Sequence, residues 1–124
     1  MYTGKKILIV DDSPMERKLI KDMIGDLGFV IIEAETGEDG VKKAMECEPS
    51  LILMDVMMPG INGFQATKQI TTTDKLKGTP VIMCTSKSEN RDKVWSVRQG
   101  ASGYVVKPVS KQILRDEIDK VMPA

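Results

Sequence analysis

Five times along the chain, a short apolar run of strand length gives way to a more polar or amphipathic segment. The runs occupy residues 7–10, 29–32, 51–55, 80–84 and 103–106. Continuous apolar runs are typical of strands buried on both faces, as in a parallel sheet covered by helices. With right-handed crossovers, this alternation predicts a doubly wound α/β domain with three layers, helices over and under one five-stranded parallel sheet.

Length and charge narrow the class of protein further. The chain has 124 residues, which predicts one domain, 1–124, without an output domain. Lys and Arg together number 18, as do Asp and Glu, and this balance argues against a nucleic-acid or membrane-surface binder. No apolar run is long enough for a signal peptide or a membrane span, so we expect a soluble, cytoplasmic protein.

The chain contains no histidine and two cysteines, Cys47 and Cys84. The lack of histidine excludes a histidine base, a Ser-His pair and a histidine-ligated zinc site within this chain. The two cysteines have no metal-binding spacing, and Cys84 lies in an apolar run where a small core residue is expected.

The helix signals are clearest after the first strand. Ser13 is a candidate N-cap, followed by Pro14 at the first helical position and Glu16 three residues after the cap. Gly28 is expected to close this helix. Its inner face is predicted to contain Leu19, Ile20, Met23, Ile24 and Leu27.

Two more helices are predicted near the C-terminus. One covers about residues 90–99, with Val94, Val97 and Ala101 as its inner side. The last is capped by Ser110, and its inner positions are predicted to be Ile113, Leu114, Ile118, Val121 and Met122. Met15, Met23, Met45, Met54 and Met83 are all predicted to lie in the core.

Polar residues follow the strands where a doubly wound sheet forms its ligand crevice. Asp11 and Asp12 follow the first strand, Asp55 ends the third, Thr85 ends the fourth and Lys107 follows the fifth. The carboxyl ends of the central strands meet at one edge of such a sheet, so these side chains are expected to converge. Each signal alone is weak, because Asp11 and Asp12 could simply favour a helix start and Lys107 could be a surface lysine.

Three carboxylates about 5 Å apart repel one another by about 3 kcal/mol per pair at an effective dielectric near 20. Such a cluster needs protons or a cation, and all-oxygen ligands suit Mg²⁺. A Mg²⁺ ion beside a carboxylate, with a lysine opposite, can stabilise a phosphoryl group during transfer. We therefore predict that Asp55 accepts a phosphoryl group, forming an aspartyl phosphate.

Four spaced motifs resemble the receiver domain of two-component response regulators across the whole chain. They are ILIVDDS at 7–13, LMDVMMPGING at 53–63, VIMCTS at 81–86 and GYVVKP at 103–108. The resemblance implies a flavodoxin-like sheet with strand order 2-1-3-4-5, an order for which a receiver domain is a standard example. It also implies that Asp55 receives its phosphoryl group from a histidine kinase. Asp12 and Asp55 would bind Mg²⁺ directly, Asp11 through water and Met57 through its main-chain carbonyl.

The resemblance assigns the other motif residues as well. Lys107 would contact the phosphoryl oxygens, so that Asp55, Thr85 and Lys107 form the catalytic set, and the Lys107–Pro108 bond would be cis. Thr85 and Tyr104 would be the switch pair that responds to the phosphoryl group.

Shorter segments resemble the stand-alone receivers of chemotaxis and type IV pilus twitching-motility systems. The implied partners are a histidine kinase or phosphotransfer protein and a downstream target, bound on the face formed by the fourth helix, fifth strand and fifth helix. Trp95 could anchor such a target, or could simply pack across the fourth helix. The receiver itself would be a signalling protein rather than an enzyme.

Two alternatives remain open from the sequence. A phosphate sink or phosphorelay intermediate would have the same site residues. An aspartyl-phosphate phosphatase of the haloacid-dehalogenase type is less well supported. Those enzymes place an acid two residues after the nucleophile, where this chain has Met57 after Asp55.

Overall fold

The computed structural model describes residues 2–85, 97 and 100–122. Five parallel strands form one sheet in the order β2-β1-β3-β4-β5, which confirms the predicted order. The strands are β1 (Lys6–Val10), β2 (Val30–Ala34), β3 (Leu51–Asp55), β4 (Val81–Thr85) and β5 (Gly103–Val106). Every residue of β3 and β4 is buried, as expected for central strands covered on both faces.

Four α-helices lie wholly within the described part of the chain. They are α1 (Pro14–Ile24), α2 (Gly37–Cys47), α3 (Gly63–Thr71) and the C-terminal helix (Lys111–Val121). Each begins after a polar N-cap whose side chain accepts a main-chain hydrogen bond from the first turn. None of the described helices is long and apolar enough to cross a membrane.

Helix α1 starts as predicted but ends earlier. The Ser13 hydroxyl accepts a hydrogen bond from the Glu16 amide at 3.2 Å, and Pro14 occupies the first helical position. The α-helix stops at Ile24, and a 3₁₀ turn, Gly25–Leu27, continues the chain. Gly28 then adopts the left-handed conformation with φ of 91°, so the glycine closes the 3₁₀ turn.

The core consists of two apolar clusters, one on each face of the sheet. Alternate residues of β1 point to opposite faces: Ile7 and Ile9 belong to one cluster, Leu8 and Val10 to the other. The cluster that contains Ile7 is covered by α1 and the C-terminal helix, and the other by α2 and α3. Cys84 is buried in the first cluster, as predicted.

Several side chains that were predicted to face inward are exposed. Met15 and Leu19 of α1 are 73% and 47% exposed, and Ile113 of the C-terminal helix is 57% exposed. Their buried neighbours form a narrow stripe, which in α1 is Arg17, Ile20 and Ile24. The apolar residues at the edges of this stripe lie outside the face that contacts the sheet. In contrast, Met54 and Met83 are fully buried, as predicted.

The predicted fourth helix falls mostly outside the described residues. Of residues 90–99, the structure describes only Val97, which is helical and 64% exposed rather than inward-facing. Trp95 and Val94 also lie outside the described residues.

Candidate phosphoryl and metal site

The ends of β1 and β3 bring three aspartates together. Val10 is paired with Met54 in the parallel register, so Asp11 and Asp55 follow at the same level of the sheet. Asp11, Asp12 and Asp55 each offer one carboxylate oxygen, and these oxygens all lie within 4.8 Å of one another. The convergence predicted from the strand ends is therefore present in the structure.

Lys107, immediately after β5, reaches into this acidic cluster. Its Nζ is 2.9 Å from Oδ2 of Asp11 and 3.3 Å from Oδ1 of Asp55. Asp11 and Asp55 are 2% and 5% exposed, whereas Asp12 is exposed. One ammonium group thus faces two buried carboxylates and a third at the surface, which leaves the ionised cluster with an excess of negative charge.

Burial and the charges of the cluster together shift the pKa values of Asp55 and Lys107. Burial raises the pKa of Asp55 to about 6, the negative charge of Asp11 adds to this, and Lys107 opposes it. Burial lowers the pKa of Lys107. Its hydrogen bond to Asp11 and the charges of Asp11 and Asp55 outweigh that effect, so the net shift is upward. Asp55 can be ionised at neutral pH, but its charge is only partly compensated.

The donor set fits a hard divalent cation. The cluster offers carboxylate oxygens and neither histidine nor cysteine ligands, which is the chemistry that Mg²⁺ prefers. A divalent ion would also balance the negative charge that Lys107 leaves. The Met57 amide donates a hydrogen bond to Asp55, so the main chain after β3 contacts this carboxylate directly.

The loop after β3 approaches the sheet very closely at Gly63. A Cβ atom on Gly63 would lie 2.1 Å from the main-chain oxygen of Asp55, and the Gly63 amide donates to Val56 O at 3.0 Å. Only a residue without a side chain allows α3 to start here. The end of β3, with Asp55, is thereby packed directly against the first turn of α3.

The two predicted switch residues lie on neighbouring strands. Thr85, the last residue of β4, is fully buried, and Tyr104 of β5 is half-buried against the cluster that contains Leu8. The Lys107–Pro108 bond is cis, as predicted. The structure therefore places Thr85 and Lys107 at the carboxyl edge of the sheet, with Tyr104 one strand away from Thr85.

One residue at the site was missed from the sequence. Arg17 of α1 is only 7% exposed, and its Nη1 donates to the main-chain oxygen of Asp11 at 2.6 Å. Its Nε donates to Glu33 Oε1 at 2.9 Å. The signal that could have found it is its spacing, because Arg17 lies on the same helical stripe as Ile20 and Ile24.

The family model described as the response regulator receiver domain matches residues 7–119. The chain belongs to the receiver family. Receiver domains are signalling domains that interact with histidine kinases and downstream targets and bind Mg²⁺ through acidic residues.

Named relatives agree with this assignment over almost their whole lengths. Protein PilH of Pseudomonas aeruginosa is 45% identical over 94% of this chain and 97% of the relative. Chemotaxis protein CheY of Halobacterium salinarum is 36% identical over 98% of this chain and 99% of the relative. These chemotaxis and pilus relatives favour a signalling receiver over a phosphate sink or a phosphorelay intermediate.

Solved structures share the fold of this receiver closely. The chemotaxis response regulator CheY4 of Vibrio cholerae has a TM-score of 0.90 at 30% identity, covering 97% of this chain and all of its own (100%). A chain of the CheX-CheY-BeF₃-Mg²⁺ complex from Borrelia burgdorferi has a TM-score of 0.89 at 26% identity, and the match covers 96% of this chain and 90% of that one. The predicted flavodoxin-like fold is confirmed.

Proposed function

We propose that this receiver accepts a phosphoryl group on Asp55 from the phosphohistidine of a histidine kinase or phosphotransfer protein. Asp11, Asp12 and Asp55 would hold Mg²⁺, with the main-chain carbonyl of Met57 as a further ligand. The only chemistry of the chain would be phosphorylation of its own Asp55 and loss of that group. The proposal rests mainly on one observation, the three carboxylates within 4.8 Å of one another with Lys107 beside two of them.

The transfer has a simple balance of bonds. A carboxylate oxygen of Asp55 forms a bond to phosphorus, the bond from phosphorus to the donor's imidazole nitrogen breaks, and that nitrogen keeps the electron pair. Asp55 must be ionised to attack. Its pKa of about 6 leaves it ionised at neutral pH, yet more basic than an ordinary aspartate.

Lys107 supplies a fixed positive charge on the side of Asp55 where phosphoryl oxygens would lie. Its Nζ is already 3.3 Å from Oδ1 of Asp55 and is only slightly exposed, so it can contact an added phosphoryl oxygen with a small movement. When bound, Mg²⁺ supplies further charge stabilisation to the phosphoryl oxygens. Asp11 holds the ammonium group in place from the other side at 2.9 Å.

Thr85 and Tyr104 would report the phosphorylated state. Phosphorylation adds about −1.5 to −2 charges and three acceptor oxygens at the end of β3. Thr85 ends the adjacent strand, so its hydroxyl is suited to follow the new acceptor. Tyr104 is only half-buried and has room to change its packing when Thr85 moves.

The output would be a protein interaction in a chemosensory or pilus-motility pathway. Support comes from the PilH and CheY relatives and from exposed apolar side chains on the proposed face. Val97, Val106 of β5 and Ile113 of the C-terminal helix are 64%, 39% and 57% exposed. A target that covers these side chains would gain apolar burial in addition to polar contacts.

The decisive test is phosphotransfer from a panel of purified histidine kinases and from acetyl phosphate, with and without Mg²⁺. We expect wild type to be labelled only with Mg²⁺, and the label to survive mild acid and to be lost in base, as an aspartyl phosphate would be. Asp55→Asn should not be labelled, and Asp22→Asn should be labelled normally. Asp22→Asn makes the same chemical change on an exposed α1 side chain. Labelling that persists in Asp55→Asn, or no Mg²⁺ binding by wild type, would refute the proposal.

A further inference from the structure

We infer that Arg17 is a positioning residue for the magnesium site, because it holds the peptide that joins Asp11 to Asp12. The inference rests on the proposed function, since it assigns a role to Arg17 in the same Mg²⁺ site. Arg17 touches neither the acceptor carboxylate nor the position of a phosphoryl group. It would act through the main chain of the acid pair.

The contact is direct and buried. Arg17 Nη1 donates to the main-chain oxygen of Asp11 at 2.6 Å, and the arginine is 7% exposed. This oxygen belongs to the Asp11–Asp12 peptide, whose plane sets the direction in which Asp12 leaves the strand. The Asp11 amide is held as well, by donation to Ala34 O at 3.1 Å.

Asp12 depends on this peptide more than Asp11 does. The Asp11 carboxylate is fixed by its own contacts, with Oδ1 accepting from the Ser13 amide and Oδ2 from Lys107, both at 2.9 Å. Among the described residues, no hydrogen bond or ion pair holds the carboxylate of Asp12, which is exposed. The main chain at residues 11–12 therefore determines how this carboxylate is presented to a cation.

The guanidinium group is itself fixed in two directions. Glu33 at the end of β2 accepts from Arg17 Nε at 2.9 Å, and its other oxygen accepts from Lys21 at 3.1 Å. Glu35 adds a longer ion pair of 3.5 Å. Arg17 thus connects the acid pair to the neighbouring strand through a planar group whose two donors have separate partners.

The direction in which Mg²⁺ affinity changes when Arg17 is replaced separates a positioning role from a purely electrostatic one. Arg17 carries a positive charge next to a cation site, so removal of that charge alone would strengthen Mg²⁺ binding. If Arg17 instead positions the Asp11–Asp12 peptide, its removal would weaken Mg²⁺ binding. Changes to groups that orient metal ligands typically reduce metal affinity 10- to 100-fold.

The test is Mg²⁺ titration by isothermal titration calorimetry of wild type, Arg17→Met and the control Arg115→Met. Arg115 also donates through its guanidinium to a carboxylate, that of Asp26 at 3.1 Å, but lies on the C-terminal helix. We expect Kd to rise about 10-fold in Arg17→Met and to stay within about twofold of wild type in Arg115→Met, where only a distant charge is lost.

A second readout separates affinity from chemistry. At saturating Mg²⁺, labelling of Arg17→Met by acetyl phosphate should reach the wild-type rate, because Asp55 and Lys107 keep their contacts. If Arg17→Met does not fold by circular dichroism, Arg17→Gln is measured against the same criteria. Unchanged or tighter Mg²⁺ binding in the folded variant would overturn the inference, as would an equal loss in Arg115→Met. Wild type that binds no Mg²⁺ would instead refute the proposed function.

Discussion

Lys107 lies closer to Asp11 than to Asp55, at 2.9 Å against 3.3 Å between Nζ and the nearest carboxylate oxygens. The ammonium group and a bound Mg²⁺ ion would therefore be attracted to the same pair of carboxylates. The ammonium group lowers their mutual repulsion without neutralising the cluster. If the site binds Mg²⁺ as proposed, Lys107 and Mg²⁺ would compete in part in the unphosphorylated protein, whereas both would stabilise the phosphorylated one.

Lys107→Met should consequently tighten Mg²⁺ binding while impairing the response to phosphorylation. Removal of one positive charge next to the site is expected to lower the Kd for Mg²⁺ by roughly 3- to 10-fold. The titration is best made at pH 8.5, since loss of Lys107 also raises the pKa of Asp55. Lys111→Met, which removes an exposed lysine, is the matched control. Weaker binding in Lys107→Met would show that the lysine organises the metal ligands instead.

A pH-dependent loss of stability is expected from Asp55 in metal-free protein. Its pKa is raised from 3.8 to about 6 by burial and the charge of Asp11, so folding favours the protonated form. The stabilisation is fully present below about pH 4 and is lost as the pH rises through about 6. The free energy of unfolding of Asp55→Asn, relative to that of wild type, should therefore be higher at pH 7.5 than at pH 4, by up to about 3 kcal/mol.

Urea unfolding in EDTA at the two pH values measures this gain. Asp22→Asn is the control, because it removes an exposed carboxylate of the same kind. If the difference in free energy of unfolding between Asp55→Asn and wild type is the same at pH 4 and pH 7.5, folding does not raise the pKa of Asp55. Mg²⁺ in place of EDTA should stabilise wild type at pH 7.5 and have little effect at pH 4.

The meeting of Asp11, Asp55 and Lys107 could be predicted because parallel strands end at one edge of the sheet. Each strand end is visible in the sequence as a change from apolar to charged residues, so only the fold class was needed to bring them together. Distances could not be predicted, since they depend on side-chain conformers. The preference of Lys107 for Asp11 is such a detail.

Arg17 could not be identified in this way, because it follows no strand end and its partners lie outside its own helix. Arg17 bonds a main-chain oxygen and Glu33 of another strand, whereas an arginine in an amphipathic helix is usually at the surface. Met15 and Leu19 differ from expectation in the opposite direction, because they are predicted to be buried and are exposed. Helical periodicity indicates a broad apolar face, but the width of the stripe that is covered depends on how the helix packs on the sheet.

Gly63→Ala should be strongly destabilising and should disturb the acceptor. Its Cβ would lie 2.1 Å from Asp55 O, a distance that requires the end of β3 or the start of α3 to shift. We expect a loss of about 3 kcal/mol in urea unfolding, together with weaker Mg²⁺ binding. Gly25→Ala has open space around the new Cβ and an ordinary helical φ of −58°, so it should be neutral or stabilising. Equal stability of the two variants would contradict the close approach at Gly63.

Tyr2 joins the N-terminal segment to the C-terminal helix, far from the acid cluster in the fold. Its hydroxyl oxygen is 2.6 Å from Oδ1 of Asp119 and 2.9 Å from the main-chain oxygen of Met122. Its ring stacks on Phe29 with centroids 4.9 Å apart. Tyr2→Phe keeps the ring and removes the hydroxyl, so it should cost about 1 kcal/mol in the free energy of unfolding and leave Mg²⁺ affinity unchanged.

The alkaline pH dependence should distinguish this hydroxyl from a simple packing effect. Burial, with the hydrogen bond and charge of Asp119, raises the pKa of Tyr2 to about 12 from about 10. The contribution of Tyr2 is therefore fully present below pH 10 and is lost as the pH rises through 12. The stability difference between wild type and Tyr2→Phe, measured by urea unfolding, should shrink between pH 9 and pH 11. A difference that stays constant would mean that the Tyr2 hydroxyl is not held in a buried hydrogen bond to Asp119.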